Sequence, residues 1–230
     1  MKSLGELLRG VAAPAFAHAC PACGAPSTRP RPCLACDDAR RAAREAKAAT
    51  AASIPARFAW ARGLDAPDLS ARVDVAALEQ ARALDLGRLD RVTLLGPATA
   101  GKTSLAVAIA SAWIGVHARP AVFVAAVDLG LARQQHGLGD GEPRIVRHAM
   151  SAPLLLLDDV GQEAEFGSAV VAHAIQSRYD RVKPILATSG LTVEQIVSRY
   201  GAGVGRRLVE TAGGAVVLKL RSRSERSHTR

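Results

Sequence analysis

An α/β domain with a phosphate-binding loop, preceded by a small cysteine-rich segment, is predicted by three stretches of this 230-residue chain. The apolar run Val92 to Leu95 leads into Gly96-Pro97-Ala98-Thr99-Ala100-Gly101-Lys102-Thr103-Ser104, which fits G-x-x-x-x-G-K-[ST] between a predicted strand and a predicted helix. Leu154 to Leu157 is an apolar run ending in Asp158 and Asp159, as in a buried strand that delivers carboxylates at its C-terminal edge. Cys20, Cys23, Cys33 and Cys36 form two C-x-x-C pairs and are the only four cysteines.

Composition sets outer bounds. A 49% hydrophobic fraction suffices for one core and excludes global disorder. The 30 Lys and Arg against 21 Asp and Glu leave a formal charge of +9, mostly carried by arginine. That balance points to a polyanionic partner, nucleic acid first and an anionic membrane surface second, against the plainer reading of a soluble basic surface. Leu4 to Ala19 has the outline of a signal peptide with Ala15-Phe16-Ala17 as its cleavage site, but Glu6 and Arg9 interrupt its apolar core. No apolar run reaches bilayer length; Ala121 to Val127 and Pro153 to Leu157 are strand-sized. No membrane partner and a cytoplasmic location are expected, which disfavours disulfides.

Along the chain, Cys20-Pro-Ala-Cys23 and Cys33-Leu-Ala-Cys36 each aim two thiolates at one point, and together they make the tetrahedral S₄ set zinc prefers. Two redox pairs are the alternative, disfavoured because no βαβ pattern surrounds either pair. Arg29, Arg31, Arg40, Arg41 and Arg44 make the surroundings basic. Asp37 to Ala52 is predicted as a helix with almost no apolar stripe, hence a solvated linker or a DNA-facing surface rather than core. Ser53-Ile54-Pro55 ends it. Phe58 and Trp60 either dock this linker on the core, the favoured use, or cover an adenine.

Asp74 to Leu86 is predicted as an amphipathic helix, and Arg91 to Leu95 as the first strand. The loop that follows would wrap backbone N–H groups around phosphate oxygens, with glycines at Gly96 and Gly101 where a Cβ would obstruct the turn. The helix behind it aims its positive end at the same phosphates. Lys102 supplies a mobile charge for the β- and γ-phosphates, and the Thr103 hydroxyl is placed to ligate Mg²⁺. Asp158 would hold the same ion, while Asp159 would orient or deprotonate the attacking water. An Asp pair capping a turn at Gly161 is the bland alternative. Further elements are the strands Ala121 to Val127, Pro184 to Thr188 and Ala215 to Leu220, and helices through Arg133, over Ile145 to Met150 and over Phe166 to Val182. A last helix is capped by Thr192 with Gln195 as its reciprocal partner. The chain then closes on a basic tail expected to be disordered.

Taken together, Gly96 to Thr103, Leu154 to Asp159 with Gly161 behind, Thr188-Ser189, the Arg-Tyr-Gly…Arg-Arg-Leu run from Arg199 to Leu208, and Ile54-Pro-Ala-Arg-Phe58 resemble the AAA+ helicase loaders of the DnaC/DnaI type and the IstB-type transposition helpers. The resemblance covers about residues 54 to 220. It implies a P-loop NTPase of the AAA+ type with a five-stranded parallel sheet between helices and no C-terminal lid. Residues 1–53 would form the zinc segment and basic linker, 54–220 the ATPase domain and 221–230 the tail. It also implies ATP and Mg²⁺ bound at the interface of a homo-oligomer, each site completed by a neighbour's arginine, here Arg207 with Arg206 as fallback. Two departures stand out. Asp159 replaces the usual Glu, and Gly190 falls where Asn is common, so sensing of the γ-phosphate passes to Thr188 or Ser189.

The implied activity is ATP hydrolysis that places a replicative helicase on single-stranded DNA, with a transposase helper on duplex DNA as the alternative. The zinc segment is similar in kind to the module with which DnaI-type loaders grip the helicase, or it binds DNA itself. A small-molecule P-loop kinase would need a lid and an acceptor pocket that the sequence does not offer. A zinc DNA-binding module whose ATP site only stabilises an oligomer is the remaining class.

Overall fold

The computed structural model describes residues 18–27, 30–51, 53–137 and 139–222. The start of the signal-like stretch, Arg29 and most of the basic tail lie outside the described residues. The chain divides into two compact units, Met1–Ala42 and Ala43–Arg230.

In the first unit, β1 (His18–Ala19) pairs antiparallel with β2 (Pro26–Ser27), the two strands bracketing the first C-x-x-C. Helix α1 (Leu34–Ala51) starts inside the second C-x-x-C, one turn earlier than its composition suggests, because the Cys33 carbonyl accepts from the Asp37 N–H at 2.9 Å. The helix continues past Ala42 into the second unit, where it is mostly exposed but anchored at two positions. Ala46 and Thr50 are buried, and the Thr50 hydroxyl accepts from the Ala121 N–H at 2.9 Å. Ser53 Oγ accepts from Phe123 N–H at 3.1 Å. Ala121 and Phe123 lie on an edge strand, whose outward N–H groups need partners, and two hydroxyls supply them. A polar pair doing this leaves no trace in hydrophobic periodicity.

The second unit holds short α2 (Leu69–Arg72), α3 (Val75–Arg82), β3 (Arg91–Leu95), α4 (Lys102–His117), β4 (Ala121–Ala125), α5 (Ala126–Gln135), α6 (Arg144–Ser151), β5 (Leu154–Val160), α7 (Ser168–Asp180), β6 (Ile185–Ser189), α8 (Val193–Val209) and β7 (Ala215–Lys219). The five strands are all parallel in the order β4-β5-β6-β3-β7. Side chains alternate across a strand. Leu154 and Leu156 accordingly enter the apolar cluster built with α3 and α4, while Leu155 and Leu157 enter the one built with α5 to α8. Helices on both faces explain why β5 reads as an unbroken apolar run.

Several boundaries differ from expectation for local reasons. Asp74 is the N-cap of α3, its carboxylate accepting from Ala76 N–H at 3.0 Å, and the helix stops at Arg82. Asp85 then accepts from Gly87 N–H at 3.0 Å and starts a separate 3₁₀ turn, Leu86–Arg88. β4 ends at Ala125, so Ala126 and Val127 open α5 rather than extend the strand. The Thr192–Gln195 capping box of α8 is present in both directions. That helix breaks at Gly201, where φ is 82° and ψ is 158°.

Candidate functional site

The sheet's C-terminal edge is where the predicted chemistry gathers, as parallel α/β sheets dictate. β3 runs out at Leu95 into the loop. A Cβ on Gly96 would collide with the Leu220 carbonyl, and Gly101, at φ 92°, would set one 2.9 Å from the Arg72 carbonyl. Both loop glycines are therefore demanded by neighbouring backbone as well as by the turn. Ala98, Thr99, Gly101, Lys102, Thr103, Ser104 and Asp159 line one side of a cleft of about 870 Å³. Ala100 is buried behind it, and Gly96 and Pro97 line an adjoining groove toward Lys219.

The two motifs meet directly. Thr103 Oγ1 donates to Asp158 Oδ1 at 2.8 Å, and Thr188 Oγ1 donates to the same oxygen at 2.7 Å. Thr188 also accepts from the Asp159 N–H at 2.9 Å. This last bond stands in for a ladder bond, because the β5–β6 register shifts between Leu157 and Val160. The bulge turns Asp159 to φ 54°, a left-handed conformation that Asp tolerates, and brings it to the cleft wall. Of the two candidate sensors, Thr188 touches the acidic pair. Ser189 donates to Val160 O at 2.6 Å and accepts from Leu191 N–H at 3.1 Å, a backbone role.

Electrostatics follow from burial. Burial pushes the Asp158 carboxyl above its ordinary range, against the Thr188 and Thr103 hydrogen bonds that favour the charged form. Burial likewise pulls the Lys102 ammonium down, while the charges of Asp159 and Asp158 oppose that fall. Lys102 Nζ donates to Pro97 O at 2.9 Å, inside its own loop. A half-buried hydroxyl and a buried carboxylate in contact, with an ammonium beside them, fit a magnesium-bound triphosphate. Thr103 and Asp158 would hold the ion.

Arg57, Phe58, Trp60 and Arg72 line the same cleft. Phe58 and Trp60 also pack on the apolar cluster, the docking use favoured from the sequence. The Arg72 guanidinium carbon lies 4.6 Å from the Trp60 ring centroid, and that of Arg57 4.7 Å from Phe58. Arg72 carried no motif and was missed by sequence reasoning. So was Glu163, fully buried, which accepts from Gly161 N–H at 3.0 Å, from Arg199 Nε at 3.0 Å and from the Tyr200 hydroxyl. Its signal was an acid just past the glycine that ends the Asp158–Asp159 strand.

Arg207 is absent from this cleft. Its main-chain carbonyl accepts from Arg91 at the opposite end of β3, at 3.1 Å. Arg207 pairs with no carboxylate among the described residues: Nη1 donates to Gly203 O at 2.6 Å, and the guanidinium carbon lies 4.8 Å from the Tyr179 ring centroid. Arg206 is exposed and donates to Ala202 O at 3.4 Å.

In the first unit the Sγ atoms of Cys20, Cys23, Cys33 and Cys36 all lie within 4.8 Å of one another, and Cys23 and Cys33 are 3.8 Å apart. Zn–S bonds of about 2.3 Å at tetrahedral angles imply S···S edges near that spacing, so the set could hold zinc. Backbone N–H donation from Cys33 and Ala22 draws the Cys20 thiol down to about 6, whereas hydrogen bonding with Cys23 and Cys33 pushes Cys36 up to about 12.

The profile of the family described as IstB-like ATP binding protein matches residues 34–204. The chain belongs to that family. This IstB-like chain overlays the crystal structure of the DnaC helicase loader with a TM-score of 0.59 and 22% identity, covering 72% of this chain and 99% of that one. A DNA replication initiation factor overlays at 0.50 with 21% identity over 64% of this chain and 45% of its own. DnaI overlays at 0.48 with 22% identity over 64% and 84%. At 22% identity the likeness to the DnaC loader establishes the fold alone, a parallel sheet between helices with the phosphate loop at its C-terminal edge. No curated protein sequence matches the chain. Among the described residues, no helix of this IstB-like protein is long and apolar enough to cross a membrane.

Proposed function

We propose that this protein is an ATPase that loads a replicative helicase onto single-stranded DNA, its nucleotide pocket completed by a second copy of the chain. The observation that carries the ATPase reading is the Thr103–Asp158 contact of 2.8 Å, which joins the phosphate loop to the acidic strand. Lys102 binds the β- and γ-phosphates, Thr103 and Asp158 hold the metal, and Asp159 orients the attacking water. Bound Mg²⁺ supplies charge neutralisation between the β- and γ-oxygens. Phe58 and Trp60 flank the base. Arg207 stands at the wrong end of β3 to reach its own cleft, which supports its acting as a finger on the neighbour's γ-phosphate. The charge of +9 supports a nucleic-acid track.

Hydrolysis measured with and without single-stranded DNA tests this. Lys102→Ala removes nucleotide binding, whereas Arg207→Ala leaves binding near normal and slows hydrolysis by about 10³-fold or more. Equal loss of both in Arg207→Ala excludes the finger. The second reading, a transposase helper acting on duplex DNA, is favoured by the family match itself. Capture of a transposase and not of a ring helicase would select it.

A further inference from the structure

Arg91 stands at the start of β3 with a side chain only 7% exposed, and the ATP chemistry above makes no use of it. Its Nε donates to Asp90 Oδ2 at 2.9 Å, its Nη1 to the main-chain carbonyl of Arg207 at 3.1 Å, and its Nη2 to the carbonyl of Gly213. The next carbonyl of α8, that of Leu208, accepts from the Thr93 hydroxyl at 2.7 Å. A helix end leaves its last carbonyls without intrahelical donors, and here two side chains of one strand supply them. The ring of Tyr179 completes the arrangement. Its centroid lies 5.1 Å from the Arg91 guanidinium carbon and 4.8 Å from that of Arg207.

The break at Gly201 gives these contacts a purpose. Upstream of it, α8 is fastened to the acidic-strand loop through Arg199, Tyr200 and Glu163. Downstream, the helical ladder is interrupted, so the orientation of the segment carrying Arg206 and Arg207 rests on its packing, Gly205 against Val197 and Leu208 in the core, and on what grips its far end. That grip comes from β3, whose other end opens the phosphate loop. One five-residue strand thus carries the nucleotide loop at one end and the arginine segment at the other.

We infer that Arg91 is a positioning residue for Arg207: it fixes the last turn of α8 on β3, so that the finger is offered to a neighbouring subunit in one orientation. The inference rests on the reading that Arg207 acts on a neighbour's triphosphate. A shift of about 1 Å in a transition-state contact costs on the order of 100-fold, so Arg91→Met should lower hydrolysis by about that factor while nucleotide affinity stays within about twofold.

Complementation separates positioning from a merely structural role. Arg91→Met subunits keep an intact phosphate loop, and Lys102→Ala subunits keep an intact Arg91–Arg207 pair. Mixing the two should restore hydrolysis well above either alone. Tyr179→Leu, which spares the hydrogen bonds and changes a half-exposed ring, should show the same recoverable defect and serves if Arg91→Met does not fold. The control is Arg207→Ala mixed with Lys102→Ala. Recovery in the control but in neither of the other mixtures overturns the positioning role alone. No recovery in the control overturns the shared-pocket reading and this inference with it. Parallel loss of nucleotide affinity and hydrolysis in Arg91→Met and Tyr179→Leu also overturns it.

Discussion

Among the described residues of the first unit only Cys20 is buried, whereas in the second unit every residue of β3 and β6 is. The first is a two-stranded hairpin and the start of a helix gathered round four sulfurs. The second is a sheet covered on both faces by apolar clusters. So little burial among the described residues of the first unit does not repay their ordering entropy, and metal at the four sulfurs would. The larger unit needs no such aid, and can carry unfavourable charges such as buried Asp158 and Lys102 at its working edge. Zinc held by the four sulfurs would make ligation the source of order in one part, as burial is in the other.

If that contrast is right, the largest effect comes from the metal. Structural zinc sites supply about 10–16 kcal/mol at neutral pH, so chelation or Cys33→Ser should unfold residues 18–42 outright. Limited proteolysis should cut there while ATP binding persists; loss of ATP binding on chelation would break the contrast. Next is Leu156→Ala in β5, a strand paired on both sides, which should cost about 2–5 kcal/mol and leave the metal content unchanged, by thermal unfolding and metal analysis. Thr50→Val is smaller. It strips the partner from the Ala121 N–H and should cost about 1–3 kcal/mol from the second unit, again without loss of metal.

The smallest effect sharpens the contrast, since it is a gain. Burial raises the Asp158 carboxyl, so its charged form opposes folding above the raised pKa, and this opposition vanishes as pH falls below the ordinary range. Asp158→Asn should therefore stabilise the ligand-free protein at pH 8, by about 2–4 °C for each kcal/mol recovered, with the gain fading on acidification. Thermal melts across pH check this, and a loss of stability at pH 8 would refute it.

What could be read in the residues follows the same division. The phosphate loop, the apolar strand ending in Asp158 and the cysteine pairs are local patterns whose chemistry depends on spacing, and spacing is visible in one dimension. The capping box at Thr192 is local too. What escaped depends on contacts between distant segments. Thr50 reaches β4, Arg91 reaches Arg207 and Arg72 stacks on Trp60. The described residues of Asp37 to Ala52 are mostly exposed, as the composition suggests, but the two buried ones are an alanine and a threonine, Ala46 and Thr50, which composition cannot tell from linker. The bulge at Asp159 was equally invisible, since a register shift belongs to two strands at once.

The close approach of the Leu220 carbonyl to Gly96 has a consequence for how the protein is made. The strand leading into the phosphate loop is translated early, yet both its neighbours in the sheet, Ile185–Ser189 and Ala215–Lys219, leave the ribosome late. Until they arrive, the loop lacks the wall against which it is shaped. Synthesis proceeds at about 5–20 residues per second, so a nascent chain spends several seconds with its triphosphate-binding motif exposed but unable to close. Nucleotide capture is thereby tied to completion of the sheet.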